Sequence, residues 1–268
     1  MPHDDLNQPV DSLPLVRRDS LACVKLTNGS HLPLIHIIGI GRNYAEHASE
    51  QGAAVPERPM IFTKNPASII FDRETIEIPP VCTDAGATGC ERDGEHEQVD
   101  FEGELAVILG KPVRDIQESR VLAPDGPILG YACANDVSAR WWQRHGSGGQ
   151  FCRGKSFDTF CPLGPSVIPA RAVPDPQNLQ LTTRVSGEIM QSDTTASMIF
   201  PIARLIADLS RGTTLLPGTV ILTGTPSGVG MARTPPRFLR HADTVEIEIA
   251  GIGTLRNPVT GGIHAPAR

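Results

Sequence analysis

The chain has 268 residues, with 24 Lys and Arg against 30 Asp and Glu, giving a formal charge of −6. An apolar share of 40% can fill a core and excludes disorder as the main state. The negative balance, without a Lys/Arg cluster, argues against a nucleic-acid partner, since phosphate neutralisation needs one. Glycine (26) and proline (24) together approach a fifth of the chain, against a usual share of roughly 12%. That punctuation favours short strands and shaped loops over a helical bundle.

Met1 to Val10 contains Asp4 and Asp5 and lacks the basic start and apolar run of a secretory signal. Residues 1–20 read as a loose polar arm. Leu34–Ile40 reads as a buried strand, followed by a short helix from Tyr44 to Gln51 capped by Asn43. Met60–Thr63 and Thr75–Ile78 read as strands, and the polar stretch Pro79–Gln98 as a surface insertion. Val99–Leu109 alternates, with Phe101, Leu105, Val107 and Leu109 on one face, which predicts a half-buried strand. Ile128–Val137 reads as another strand, and Arg184–Gln191 as a hairpin around Ser186-Gly187. Helical spacing of Ile199, Ile202, Ala203, Leu205, Ile206 and Leu209 predicts a helix over Ala196–Arg211, capped by Thr194 or Thr195. Val220–Thr223 runs into the Gly-rich loop Gly224–Gly230, and Thr244–Ile249 alternates again. No apolar run approaches the roughly 20 residues of a membrane span, so the expectation is a cytoplasmic protein without a membrane partner.

Four features could carry chemistry. Glu102 and Glu104, at i and i+2 on a strand, would share a face about 6.6–6.8 Å apart along the chain and repel unless a cation or proton lies between them. Asp136, ending another apolar strand, adds a third oxygen donor, and such a set suits Mg²⁺, Mn²⁺ or Ca²⁺. A strand with a merely polar outer face would read the same way. His47 and Glu50, at i and i+3 on a helix, can meet, and a carboxylate that orients an imidazole suits a general base. Gly149–Ser156 fits G-x-x-x-x-G-K-[ST] letter for letter, but no apolar strand precedes it and Pro162 follows closely, so a nucleotide site is not expected. The loop Gly224–Gly230 could bring backbone N–H groups and the Thr225 hydroxyl to an anion. Of the six cysteines, Cys82 and Cys90 with His96 have the wrong spacing for a zinc site.

With these residues assembled, the segments GRNYAEHASE (41–50), VDFEGELAVILGK (99–111), GYACANDVSAR (130–140), GKSFDTFCPLGP (154–165) and ILTGTPSGVG (221–230) resemble the fumarylacetoacetate hydrolase superfamily, in that family's order. The likeness is greatest to the branch of fumarylacetoacetate hydrolase domain-containing protein 2 and bacterial 2-hydroxyhepta-2,4-diene-1,7-dioate isomerases. It implies an α+β fold: a β-rich roll of mixed sheets with peripheral helices, usually a homodimer. It implies a catalytic domain over residues 34–260, after an N-terminal arm or reduced β extension (1–33) and before a tail (261–268). By position it implies metal ligands Glu102, Glu104 and Asp136, catalytic His47, Glu50 and Lys155, and substrate contacts at Arg42, Tyr44, Gln143 and Thr225.

The chain departs from the family pattern at Trp141, where relatives carry Asp, and in the long 80–98 segment, which could act as a lid. The function these readings predict is a Mg²⁺- or Mn²⁺-dependent enzyme acting on a small 2-oxo acid or its enol. It would hydrolyse a C–C bond, isomerise or decarboxylate. The competing readings are a catalytically altered member that binds metal and ligand, and a nucleotide-dependent enzyme using Gly149–Ser156.

Overall fold

The computed structural model describes residues 12–50, 52, 54–83 and 98–262. Strands β1 (Leu15–Arg18), β2 (Leu21–Lys25) and β3 (His31–Pro33) form a small antiparallel sheet. Then come β4 (His36–Gly41), α1 (Ala45–Glu50), β5 (Met60–Lys64), β6 (Ile69–Ile70) and β7 (Ile76–Ile78). The middle of the chain supplies β8 (Val99–Asp100), β9 (Gly103–Leu109), α2 (Glu118–Val121), β10 (Ile128–Asn135), β11 (Ser138–Ala139), α3 (Phe151–Lys155) and β12 (Cys161–Pro169). The rest supplies β13 (Gln180–Val185), β14 (Glu188–Thr194), α4 (Ile202–Ser210), β15 (Thr219–Leu222), β16 (Thr244–Ile249) and β17 (Gly253–Gly261). A mixed seven-stranded sheet has the order β5-β4-β15-β9-β10-β12-β6, and a five-stranded sheet the order β14-β13-β16-β17-β7. This is the β-rich mixed-sheet fold with few helices that the sequence implies. Among the described residues no helix is long and apolar enough to cross a membrane.

Period-2 alternation along β9 divides two cores. Leu105, Val107 and Leu109 enter the larger core, with Ile247 and Leu255 of the five-stranded sheet and Leu205 and Ile206 of α4. Ala106 and Ile108 face the opposite core, with Val24, Leu34 and Leu163. Every residue of β9 is therefore buried, not every second one. The expected loose arm over residues 1–20 is corrected on the same ground. The outer face of the large sheet is apolar, and β1–β3 cover it through Ala22 and Val24. Residues 1–11 lie outside the described part.

Two helix boundaries also differ from expectation. The predicted helix over 196–211 splits at Pro201, which has no N–H to donate within a helix and stands at the N-cap of α4. Thr194 instead caps a one-turn 3-10 helix, accepting from the Ala196 N–H. Asn43 does not cap α1: its amide donates to the Phe200 and Thr223 carbonyls, and its carbonyl accepts from the Phe200 N–H at 2.7 Å. It thereby ties the start of α1 to two distant loops. The β13–β14 hairpin turns as expected at Ser186 and Gly187, with φ +50° and +87°.

Candidate active site

The β9–β10 register, Ala134 opposite Glu104 and Asn135 opposite Gly103, brings residue 136 beside residue 102. The Asp136 N–H donates to the Glu102 carbonyl at 2.9 Å. Glu102, Glu104 and Asp136 are all buried, and one carboxylate oxygen from each lies within 4.8 Å of the others. Gly103 makes the strand's course possible: a Cβ there would lie 2.0 Å from Thr183 Oγ1 on β13.

Three buried cations answer these carboxylates. Lys155 Nζ donates to Glu102 Oε2 (2.8 Å), Asp136 Oδ2 (2.5 Å) and Ser138 Oγ (2.7 Å). Lys64 Nζ donates to Asp136 Oδ1 at 2.6 Å and to the Val137 carbonyl at 3.2 Å. Arg140 donates to Asp100 Oδ2 (2.9 Å), Glu102 Oε1 (2.6 Å) and Gln143 Oε1 (3.1 Å). Asp100 also accepts the Gly230 and Met231 N–H groups, so it anchors the end of the Gly-rich loop.

The compensation is uneven. Burial raises Glu102, but the charges of Lys155, Arg140 and His47 outweigh it and hold the carboxyl far below the usual range. Among the described residues Glu104 has only the Gly224 N–H at 2.6 Å as a close donor. Burial, with the charges of Asp136 and Glu102, pushes its carboxyl well above the usual range. Three hard oxygen donors, one uncompensated, suit a hard divalent cation such as Mg²⁺, Mn²⁺ or Ca²⁺.

Beside this floor lies a cavity of about 120 Å³ lined by His47, Glu102, Lys155, Arg140, Gln143, Arg42, Arg144 and Thr225, among others. Phe62 and Phe151, with ring centroids 5.7 Å apart, form an apolar wall. His47 Nδ1 lies 2.6 Å from Glu50 Oε1, and Glu50 Oε2 accepts the Gly228 N–H at 2.9 Å. Glu50 so fixes both the imidazole tautomer and the Gly-rich loop. Gly224 completes that loop at φ +98°, a conformation suited to glycine.

The structure thus brings His47, Glu50, Lys155, Gln143, Arg42 and Thr225 together with the carboxylates. It does not bring Tyr44 to the cavity. Its phenol is 1% exposed within the larger core and, among the described residues, has no hydrogen-bond partner. The expected substrate contact is corrected on that ground: the backbone bridge between Tyr44 and Met198 sets it inside the core. The Thr225 hydroxyl, expected to meet substrate, accepts from Gln191 Nε2 and donates to the Gly103 carbonyl, pinning the loop to β9. Trp141 stacks edge-on against Trp142 at 5.3 Å and does not line the cavity, so its departure from the family pattern leaves the lining intact. In Gly149–Ser156 the loop leads into a helix of only five residues, whose Lys155 is turned onto carboxylates. The proposed lid falls mostly on residues 84–97, and Cys90 and His96 with it, outside the described part; Cys82 is buried.

Lys64, Arg140, Asp100 and Arg144 were not foreseen as site residues. Lys64 ends an alternating strand and Arg140 follows an apolar one, and full burial of a cation is visible only once sheet order is known.

Residues 36–260 match the family described as fumarylacetoacetate (FAA) hydrolase C-terminal, and the chain belongs to that family. Among curated relatives, the oxaloacetate tautomerase Fahd2a, mitochondrial, of Rattus norvegicus is 43% identical over 223 residues, 83% of this chain and 66% of the relative. The chain therefore spans just under two thirds of that relative's length. Oxaloacetate tautomerase YisK of Bacillus subtilis (strain 168) is 41% identical over 244 residues, covering 90% of this chain and 74% of YisK. Among solved structures, the 5-carboxymethyl-2-hydroxymuconate delta-isomerase of Mycobacterium smegmatis is similar with a TM-score of 0.71 and 37% identity, over 96% of this chain and 94% of that one. The fumarylacetoacetate hydrolase EaFAH of Exiguobacterium antarcticum gives 0.73 and 31%, over 93% and 99%.

Proposed function

We propose that this chain is a divalent-metal-dependent enzyme that interconverts the keto and enol forms of a small 2-oxo acid. The observation that carries the reading is the uncompensated Glu104 within a buried carboxylate triad, beside a cavity that also holds the His47–Glu50 pair. Relatives named as oxaloacetate tautomerases and as a muconate-type isomerase support the substrate class. A cavity of about 120 Å³, below the roughly 300–1,000 Å³ of common ligand pockets, suits a compact acid.

Glu102, Glu104 and Asp136 would hold the cation, Mg²⁺ or Mn²⁺, which when bound polarises the oxo group as a Lewis acid. Lys155 and Arg140 add positive charge where the enolate oxygen becomes negative. The Gln143 carbonyl is taken by Arg140, which leaves its amide N–H groups to donate to a substrate oxygen. His47, oriented by Glu50, removes the proton from the carbon next to the oxo group. The electron pair moves onto the oxo oxygen, and protonation there gives the enol. Where water reaches His47, the same arrangement would activate it for C–C hydrolysis. A cytoplasmic homodimer completes the proposal.

The test follows keto–enol interconversion of a 2-oxo diacid with Mn²⁺ or Mg²⁺, beside acylpyruvate and hydroxymuconate-type substrates. The expected result is acceleration over buffer that EDTA abolishes. No acceleration of any substrate with either metal would overturn the proposal.

A further inference from the structure

Strand β10 leads into Asp136 at one end, and near its other end Ile128 and Tyr131 line a second cavity of about 380 Å³. The two cavities have no lining residue in common. Val121, Val173 and Pro176 give the second one buried apolar walls, and Leu122, 45% exposed, extends them to solvent. Its charged lining residues are Arg171 and Asp175, both exposed and of opposite sign. The lining therefore favours neither a cation nor an anion.

Tyr131 is the polar exception within these walls. It lines the cavity yet is only 2% exposed, and among the described residues no hydrogen bond engages its phenol. Burial raises its proton affinity, so the oxygen keeps its hydrogen and can donate it. A phenol left unpartnered in an apolar wall costs stability, and phenylalanine would fill almost the same volume without that cost. An acceptor oxygen entering the cavity would supply the missing hydrogen bond. We propose that this cavity binds a small uncharged molecule with a ring-sized apolar body and one carbonyl-type oxygen, which accepts from the Tyr131 hydroxyl. The volume has room for such a body, since an apolar cavity of roughly 150 Å³ holds a benzene ring. The site stands apart from the carboxylate triad and does not rest on the proposed keto–enol chemistry.

Ligand-observed NMR titration tests the site with two probes: acetophenone, a ring bearing one carbonyl oxygen, and toluene, the ring without it. The wild-type protein should bind acetophenone saturably, with roughly millimolar affinity. Tyr131→Phe should weaken acetophenone about fivefold and leave toluene unchanged, the worth of one neutral hydrogen bond. The same variant, without ligand, should melt at the wild-type temperature or above it, because its hydroxyl has no partner to lose. Ala170→Trp and Ala123→Trp, which fill the cavity from half-buried positions, should abolish binding of both probes. Absence of acetophenone binding below about 10 mM, equal acetophenone affinity in Tyr131→Phe, or unchanged binding in both Trp variants would overturn the site. A clearly lower melting temperature in Tyr131→Phe would also overturn it, since the phenol would then be serving the fold. Loss of a dimer in the Trp variants, with no probe bound by the wild type, would give the cavity to a second copy of the chain instead.

Discussion

Two buried carboxylates in this molecule meet opposite fates. Asp243 accepts from both Nη atoms of Arg237 (3.0 and 2.6 Å), from Ser186 Oγ at 2.8 Å and from the Arg240 N–H at 2.8 Å. Burial raises it, but these donors win and hold its carboxyl below the ordinary value. Glu104 has the Gly224 N–H and two neighbouring negative charges, and it is pushed up instead. Burial is common to both, so burial does not mark function. Asp243 has a donor for each lone pair and simply pins the Ser186 turn to the 237–243 loop. Glu104 is short of positive charge, which in the proposed reading a bound cation would supply.

The comparison sharpens if cations are removed. Lys64→Met takes away the donor to Asp136 Oδ1 in a fully buried pair and should destabilise the metal-free protein by about 3–5 kcal/mol, read by urea unfolding. A loss under about 1 kcal/mol would mean that the cluster tolerates an unpaired charge and is not tightly balanced.

His47→Ala tests the chemistry beside the cluster. It should lower turnover by roughly 10²–10⁴ while Mn²⁺ affinity stays nearly constant, because His47 meets Glu50 and is not one of the triad. Glu50→Gln should cause a similar but smaller loss, since the amide can still accept from the imidazole. Loss of metal binding in His47→Ala would make the histidine part of the cation site.

The smallest effect belongs to the satisfied carboxylate. Asp243→Asn should cost about 1 kcal/mol, at the low end for a charged hydrogen bond because Arg237 is 25% exposed. The sign follows from the lowered value. Asp243 stabilises the fold above the unfolded carboxylate range, and that contribution is lost as pH falls through its folded value, below about pH 4. Melting temperatures between pH 5 and pH 3 should therefore fall more steeply in the wild type than in Asp243→Asn.

Much of the site was legible as residue pattern. Glu102 and Glu104 at period 2 and His47 and Glu50 at period 3 are local spacings, and local spacings survive folding. Asp136 was legible as the carboxylate that ends an apolar strand, and the resemblance supplied Lys155. Lys64 and Arg140 were not legible, because their partners lie 72 and 40 residues away and only the sheet order brings them together. Tyr44 differs for another reason: adjacency in sequence to site residues placed it correctly along the chain, but its phenol turned into the core, whereas Thr225 lines the cavity with its hydroxyl bonded to β9. In the fold, alternation predicted which residues of β9 share a face, while its complete burial depended on the N-terminal sheet covering the far side.

The central claim is that Glu104 awaits a cation. Calorimetric titration of the metal-free protein with Mn²⁺ tests it most directly, with Glu104→Gln as the control because the amide keeps the shape and removes the charge. The account predicts one saturable Mn²⁺ per wild-type chain, reversed by EDTA, and none in Glu104→Gln. Absence of wild-type binding up to millimolar Mn²⁺, or equal binding in the two proteins, would contradict it.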